Sequence, residues 1–141
     1  MSKKNKHRIA ELQHVRLYHV MLRSPAWKSL SAPAQALYVH ISMRYRGHGS
    51  NNGRIPLSVR QAALALHVGI KAAWLAFRQL QDRGFIEETD KGGFSRKARH
   101  CTLWRLTEFP CDVTDQLASK KYQHWKPEVI DLEAERKSRK M

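Results

Sequence analysis

The chain has 141 residues, with 26 lysines and arginines against 12 aspartates and glutamates, which gives a formal net charge of +14. This length suits one domain with extensions rather than two full domains, and an apolar fraction of 42% is enough for one moderate core. Such a surplus of positive charge points to a polyanionic partner, most often nucleic acid or ribosomal RNA and less often an anionic membrane.

Cysteine usage and hydropathy argue against a secreted or membrane-spanning protein. Cys101 and Cys111 are too few and too poorly spaced for a disulfide scaffold or a CxxC metal knuckle. The basic N-terminus leads into no apolar run, and no stretch approaches the roughly 20 apolar residues of a membrane helix. We therefore expect a cytoplasmic protein.

No motif indicates catalysis or metal binding. His14 and His19 are five residues apart and His100 adjoins Cys101, which matches no known ligand spacing, and HExxH is absent. The sequence also lacks GxSxG, a P-loop and paired acids at a catalytic spacing. We expect no metal, no cofactor and no enzymatic activity.

The N-terminal part is predicted to contain one long helix. Residues 1–13 form a flexible basic arm, residues 14–22 an extended segment that ends in a turn, and residues 24–27 a turn or one helical turn. A helix begins at Ser31, with an apolar stripe of Ala34, Leu37, Tyr38, Ile41 and Tyr45. It ends at Gly47 and Gly49, and residues 47–54 form a loop whose composition favours turns and cannot pack a core.

Two further helices follow, separated by a tight turn. Ser58 and Gln61 match a capping box at the start of a two-turn helix. The buried face of that helix consists of Val59, Ala62, Ala63 and Leu66. Residues 67–69 form the turn, and the next helix runs from about residue 70 to 83 and ends at Gly84. Its core-facing positions are Ile70, Ala73, Phe77 and Leu80.

A hairpin completes the predicted domain, which spans residues 14–110. Residues 85–89 form a strand, residues 91–97 a loop in which Gly92 and Gly93 supply the turn, and residues 102–107 the return strand. Trp104 and Leu106 alternate onto one face of that strand. Residues 111–141 are predicted to be an extension that is partly disordered or helical.

Residues 57–86 resemble the winged-helix bacterial repressors and plasmid replication initiators, and the resemblance covers about residues 15–110. The positions in register are Ala62, Ala63, Leu66, Val68, Ala76, Phe77, Leu80, Gly84, Phe85 and Ile86. Residues 21–27 and 31–38 are similar to helix-turn-helix proteins of phages, plasmids and integrative elements. The resemblance implies an α+β, mainly helical winged helix-turn-helix, with a three-helix core, a β-hairpin wing and basic N- and C-terminal extensions.

The resemblance further implies that one face of the helix predicted from about residue 70 to 83 contacts DNA. Lys71 and Arg78 are the candidates for reading base edges, because base edges are read chiefly by side chains that form hydrogen bonds. Ala72 suits contact with a thymine methyl group. Trp74 and Leu75 lie on the same face, although related proteins often have polar residues there. The chain also departs from the family at Gly69, which has no side-chain oxygen to cap the helix.

A second set of candidates is expected to contact phosphates. Basic residues on or beside the wing can reach the backbone or the minor groove, and Gly92 and Gly93 allow a close approach. In such folds, residues at the start of the helix before the base-reading helix commonly contact the DNA backbone. The phosphate candidates are Arg54, Ser58, Arg60, Lys91, Arg96, Lys97 and Arg99.

Trp74 leaves three interpretations open: it packs against a neighbouring element, it docks a protein such as a second copy, or it makes apolar contact within the DNA groove. The leading functional hypothesis is a regulator of a bacterial or mobile-element locus that binds double-stranded DNA with some sequence preference, as a homodimer. The alternatives are a replication-initiator-like or architectural DNA binder, and a protein–protein adaptor that uses Trp74 and Leu75.

Overall fold

The computed structural model describes residues 12–90, 93–95, 98–127 and 139. It is an α+β structure, and its described part contains five α-helices and a small three-stranded antiparallel sheet. The helices are α1 (His19–Leu22), α2 (Pro25–Lys28), α3 (Ala32–Arg44), α4 (Val59–Leu66) and α5 (Ile70–Asp82). The strands are β1 (Ile55–Pro56), β2 (Ile86–Asp90), β3 (Gly93–Ser95), β4 (Ala98–His100) and β5 (Leu103–Leu106). A 3-10 turn spans Lys121–His124.

The predicted helices are present, but α3 ends at Arg44, before the predicted end at Gly47. Ser24 and Ser31 accept hydrogen bonds at the starts of α2 and α3. His19–Leu22 forms one helical turn, so the prediction of an extended segment over residues 14–22 is wrong at its C-terminal end. At the start of α4 the capping box is confirmed, since the side chains of Ser58 and Gln61 each accept the other residue's backbone N–H. These caps satisfy backbone donors that otherwise have no partner in the first helical turn.

The turn between α4 and α5 closes within three residues. His67 ends α4 with φ 55°, and Gly69 precedes α5 without a side-chain cap. Helix α5 buries Ala73, Phe77 and Leu80 against the core, as expected, but Ile70 is 55% exposed and its predicted burial is wrong. Because helical side chains tilt toward the N-terminus, the first residue of α5 points beyond the packed surface.

The sheet has β5 at its centre, with β1 and β2 antiparallel on either side. The strand β1 lies in the segment before Ser58, for which no strand was predicted, and it pairs Ile55 with Trp104. The predicted loop at residues 91–97 is wrong for Gly93–Ser95, which forms β3 and pairs with β4. A register irregularity between Glu88 and Asp90 ends the regular pairing of β2, and the hairpin continues beyond it as a separate two-stranded ladder.

Aromatic side chains join the helices to the sheet. Trp27, Tyr38 and Phe85 meet edge to face, with ring centroids 5.6–5.7 Å apart. Tyr122 stacks on Phe85 at 4.9 Å, and Cys111 is also buried, so the core continues past Pro110. Edge-to-face and stacked pairs of this kind stabilise a core beyond the area they bury.

The loop between α3 and β1 contains a buried polar residue that the sequence pattern does not reveal. The Asn52 side chain is fully buried, and its Nδ2 donates to the carbonyl oxygens of Leu106, Phe109 and Pro110 at 2.9–3.1 Å. Its Oδ1 accepts the Leu106 N–H at 2.7 Å. The prediction that this loop cannot pack a core is therefore wrong at Asn52, because a buried amide is tolerated when its hydrogen bonds are made within the protein.

None of the helices in the described residues is both long enough and apolar enough to cross a bilayer.

We predict that Asn52→Ala lowers the free energy of unfolding by about 3 kcal/mol, because several buried backbone groups are left without partners. Asn51→Ala is the matched control, since Asn51 is only half-buried and its side chain bonds Arg44, Arg46 and Ser50; it should cost about 1 kcal/mol. Urea denaturation measures both, and equal costs would contradict the role assigned to Asn52.

We predict that Gly69→Ser stabilises the protein by about 0.5 kcal/mol, because a serine at this position can cap α5 and restricts the unfolded chain. Gly69 has φ −69°, and a Cβ there has no neighbour within 4 Å. Gly84→Ser is the contrasting variant, since Gly84 has φ +81° and a Cβ there would lie 2.7 Å from that of Lys121. Thermal melts should move up for the first variant and down for the second.

Candidate functional site

One face of α5 points away from the core. Lys71, Trp74, Leu75 and Arg78 follow the i, i+3, i+4, i+7 spacing of a single helical face, and all four are exposed. The buried residues of α5 occupy the opposite side, where the helix packs on α3 and α4. Ala72 is only half-buried and lies beside this face. The structure therefore brings the base-reading candidates to one helix without covering them.

Trp74 and Arg78 contact each other on this face. The Arg78 guanidinium carbon lies 5.8 Å from the centroid of the Trp74 ring, and the tryptophan is 50% exposed. The interpretation that Trp74 packs against a neighbouring element is therefore wrong. Phe77 takes the core position instead, stacked on Trp104 at 4.8 Å. A planar guanidinium over an aromatic ring is held in orientation and keeps its outer N–H groups for a ligand.

The candidates before and within α4 are partly occupied by local hydrogen bonds. The Ser58 hydroxyl accepts the Gln61 N–H at 3.1 Å and retains its own proton for donation. Arg60 is exposed in the first turn of α4. The Arg54 guanidinium is exposed and donates to the Ser50 carbonyl at 3.3 Å. These three side chains lie on one short stretch that leads from β1 into α4.

The hairpin candidates lie largely outside the described residues. This applies to Lys91, Arg96 and Lys97. Arg99 belongs to β4, where its backbone pairs with Phe94.

Several acidic side chains are held inside the structure by cations. Glu87 lies 3.4 Å from Arg105 and 2.5 Å from Lys121. Glu108 is buried, accepts the Tyr122 hydroxyl and lies 3.8 Å from Lys120. Burial raises the pKa of Tyr122, and its hydrogen bond to Glu108 raises it further, so the tyrosine remains a neutral donor. The negative charges of Glu87 and Glu108 are therefore balanced by neighbouring cations, whereas the cations of α5 face solvent.

Sequence reasoning missed both Arg105 and a basic groove. Arg105 is only 4% exposed, and its guanidinium reaches Gln116 at 3.0 Å and the Leu117 carbonyl at 2.8 Å. Nothing in its strand pattern indicated that residues 116 and 117 would cover it. The groove is lined by residues 12–16, the end of α3, His48, Asn51 and Phe109. Its only sequence signal was the concentration of basic residues in positions 1–56.

Comparison with known proteins adds no relative: no protein family, no characterised protein and no solved structure matches this chain. The resemblance to winged-helix repressors and initiators therefore remains a prediction from the residues quoted for it.

We predict that Trp74→Ala changes the free energy of unfolding by less than about 1 kcal/mol, because the ring is half exposed and leaves no core cavity. Phe77→Ala on the same helix is the matched comparison and should cost about 3–5 kcal/mol, since its ring is buried against Trp104. Chemical denaturation of both variants tests the assignment, and similar costs would place Trp74 in the core after all.

Proposed function

We propose that this chain is a winged helix-turn-helix protein that binds double-stranded DNA and regulates a bacterial or mobile-element locus. The observation that carries the proposal is the exposed face of α5, where Lys71 and Arg78 stand on the same side, opposite a fully packed surface. The arrangement around it supports the proposal. Helices α3, α4 and α5 pack on one another, a three-residue turn joins α4 to α5, and an antiparallel β-strand pair follows α5.

In this proposal α5 enters the major groove and presents its outer face to the base edges. Arg78 suits a guanine, because a guanidinium can bond two acceptors at once, and the Trp74 ring beneath it limits its motion. Lys71 reaches a second acceptor farther toward the N-terminus of the helix. Ala72 and Leu75 offer only apolar contact, so we expect modest discrimination among sequences.

Phosphate contacts supply the remaining affinity. Arg54 is exposed just before β1 and Arg60 is exposed in the first turn of α4, with Ser58 between them in sequence. In this proposal Lys91, Arg96, Lys97 and Arg99 add further phosphate contacts. Contacts of this kind position a protein on the duplex without reading its sequence. A single module of this size rarely reaches high specificity, which favours a homodimer on two half-sites. An origin-marking or DNA-bending role would use the same contacts.

A protein–protein adaptor is the second candidate function, and one observation favours it. Ile70, Trp74 and Leu75 are 55%, 50% and 44% exposed on one helix. Exposed apolar residues clustered on a surface are typical of contact sites, and tryptophan is a frequent anchor in such contacts. In this function α5 binds a partner helix or groove instead of DNA.

We predict that Lys71→Ala and Arg78→Ala each weaken binding to a duplex by roughly tenfold, because each removes a charged interaction of about 1.4 kcal/mol. The measurement is fluorescence anisotropy with duplex DNA from upstream of the chain's own gene and with a pool of random duplexes, over several salt concentrations. Because both side chains are proposed to read base edges, each variant should change the slope of log K against log salt by much less than the value of about 0.9 expected for one lost phosphate contact.

Lys28→Ala is the matched control, since Lys28 is an exposed lysine at the end of α2 and belongs to neither α4 nor α5. Equal reductions in duplex affinity for Lys28→Ala and Arg78→Ala would mean that binding depends only on the net charge of the protein, and would contradict the assigned interface. Trp74→Ala separates the two candidate functions. Intact duplex binding together with the disappearance of a co-purifying partner would favour the adaptor.

A further inference from the structure

An open groove of about 1270 Å³ lies between the N-terminal segment and the end of α3. Residues 12–16 form one wall, and residues 42–48 form the other, with Asn51, Pro56 and Phe109 completing the lining. Neither α5 nor the described part of the hairpin contributes a residue to it. The groove therefore shares no residue with the surface proposed to bind duplex DNA, although Pro56 in its lining lies between Arg54 and Ser58 in sequence.

The charged side chains that line this groove are cations, while the nearby Asp112 carboxylate accepts the N–H groups of Gly49 and Asn52. Arg16, Arg44 and Arg46 line the groove, together with His14 and His48, and no aspartate or glutamate is among its described lining residues. Arg16 is oriented through its Nε, which donates to His14 Nε2 at 3.2 Å. Arg44 donates through Nη1 to the Pro56 carbonyl at 3.0 Å and has four further N–H groups on its guanidinium. Field lines from cations along a cleft reinforce one another and attract an anionic chain.

The two arginines at the end of α3 are held at a preset spacing. The Asn51 side chain donates to the Arg44 carbonyl and accepts the Arg46 N–H, both at 2.8 Å. One amide thus fixes the backbone on both sides of Tyr45, where α3 ends and the chain turns extended. A ligand that contacts both guanidinium groups does not have to order this segment first, which reduces the cost of binding.

An aromatic pair lies in the same groove. Tyr45 and Phe109 stack with centroids 4.8 Å apart and planes inclined by 26°, and both rings are half-buried. Burial raises the pKa of Tyr45, as does the negative charge of Asp112, so its hydroxyl stays neutral beside the arginines. The groove therefore combines cations for phosphates with ring faces for an unpaired base.

We propose that this groove binds single-stranded nucleic acid, with phosphates on Arg16, Arg44 and Arg46 and a base against the Tyr45–Phe109 pair. Grooves that take single strands without sequence preference combine a positive track for the backbone with aromatic stacking platforms. A duplex is convex and keeps its bases stacked inside, so it can reach the rim of a concave groove but offers no base to the rings. The proposal goes beyond duplex binding by α5 and does not depend on it.

The test uses the full chain and labelled oligo(dT) and oligo(U) of about 12 nucleotides, a length within the site sizes of single-strand grooves, with a duplex of random sequence in parallel. Arg46→Ala should weaken single-strand binding roughly fivefold to tenfold and flatten the dependence of log K on log salt by about 0.7, the value expected for one phosphate of a single strand.

Phe109→Leu keeps an apolar side chain at a half-buried position, and it should weaken single-strand binding by about tenfold because the stacking surface is removed. Duplex binding should stay within about twofold of the unmodified chain for both variants, because α5 is unchanged.

Arg23→Ala is the matched control, since Arg23 is an exposed arginine at the end of α1 and does not line the groove. Equal reductions for Arg23→Ala and Arg46→Ala would overturn the proposal, as would the absence of oligonucleotide binding at low salt. Parallel reductions of single-strand and duplex binding would overturn it too, since the groove would then belong to the duplex site. Arg46 is on the surface, so its variant remains informative if Phe109→Leu unfolds. The ratio of oligo(dT) to oligo(U) affinity distinguishes DNA from RNA as the natural source of the strand.

Discussion

The side chain of Asn52 is the constraint on which much of this structure depends. It bonds the carbonyl of Leu106 at the end of β5 and two carbonyls beyond it, while its backbone exchanges hydrogen bonds with Asp112. These contacts attach the loop after α3 to the segment after β5, and the residues they join are 54 apart in sequence at Leu106. They hold β1 beside β5, and β1 leads directly into α4. The position of α4 and the position of the groove wall therefore both depend on one buried amide, whose N–H and oxygen groups form hydrogen bonds within the protein.

The distribution of charge follows from which ionisable groups the fold encloses. Glu87 and Glu108 are kept near Arg105, Lys120 and Lys121 on the side where the C-terminal segment packs. The arginines and lysines of α5, α4 and the groove face solvent. Since Glu87 and Glu108 are paired at short range, they add little negative potential beside the exposed cations of α4, α5 and the groove. This arrangement suits a polyanionic partner on more than one surface.

The two proposed surfaces differ in shape, and shape decides what each can bind. The α5 face is a convex helix, with a tryptophan supporting an arginine, and it suits a groove in its partner. The end of α3 forms a concave wall with stacked aromatic rings and suits an extended chain. Because α3 packs against α5 and also supplies that wall, the same helix supports both surfaces. A protein with both could hold duplex and single-stranded regions of one nucleic acid.

The sequence by itself determined the local elements. The capping box at Ser58 and Gln61, the glycine at position 84 and the spacing of Ala73, Phe77 and Leu80 act within one or two helical turns, so their signals are local. They also placed Lys71, Trp74 and Arg78 on one helix face. Only the tertiary structure decided which residues at longer range would meet. The burial of Asn52 and Arg105, the packing of Tyr122 on Phe85 and the exposure of Trp74 depend on which distant segments come together. No period or motif in a single sequence records such a neighbour, because hydrogen bonds and ring contacts between distant segments exist only once the chain has folded.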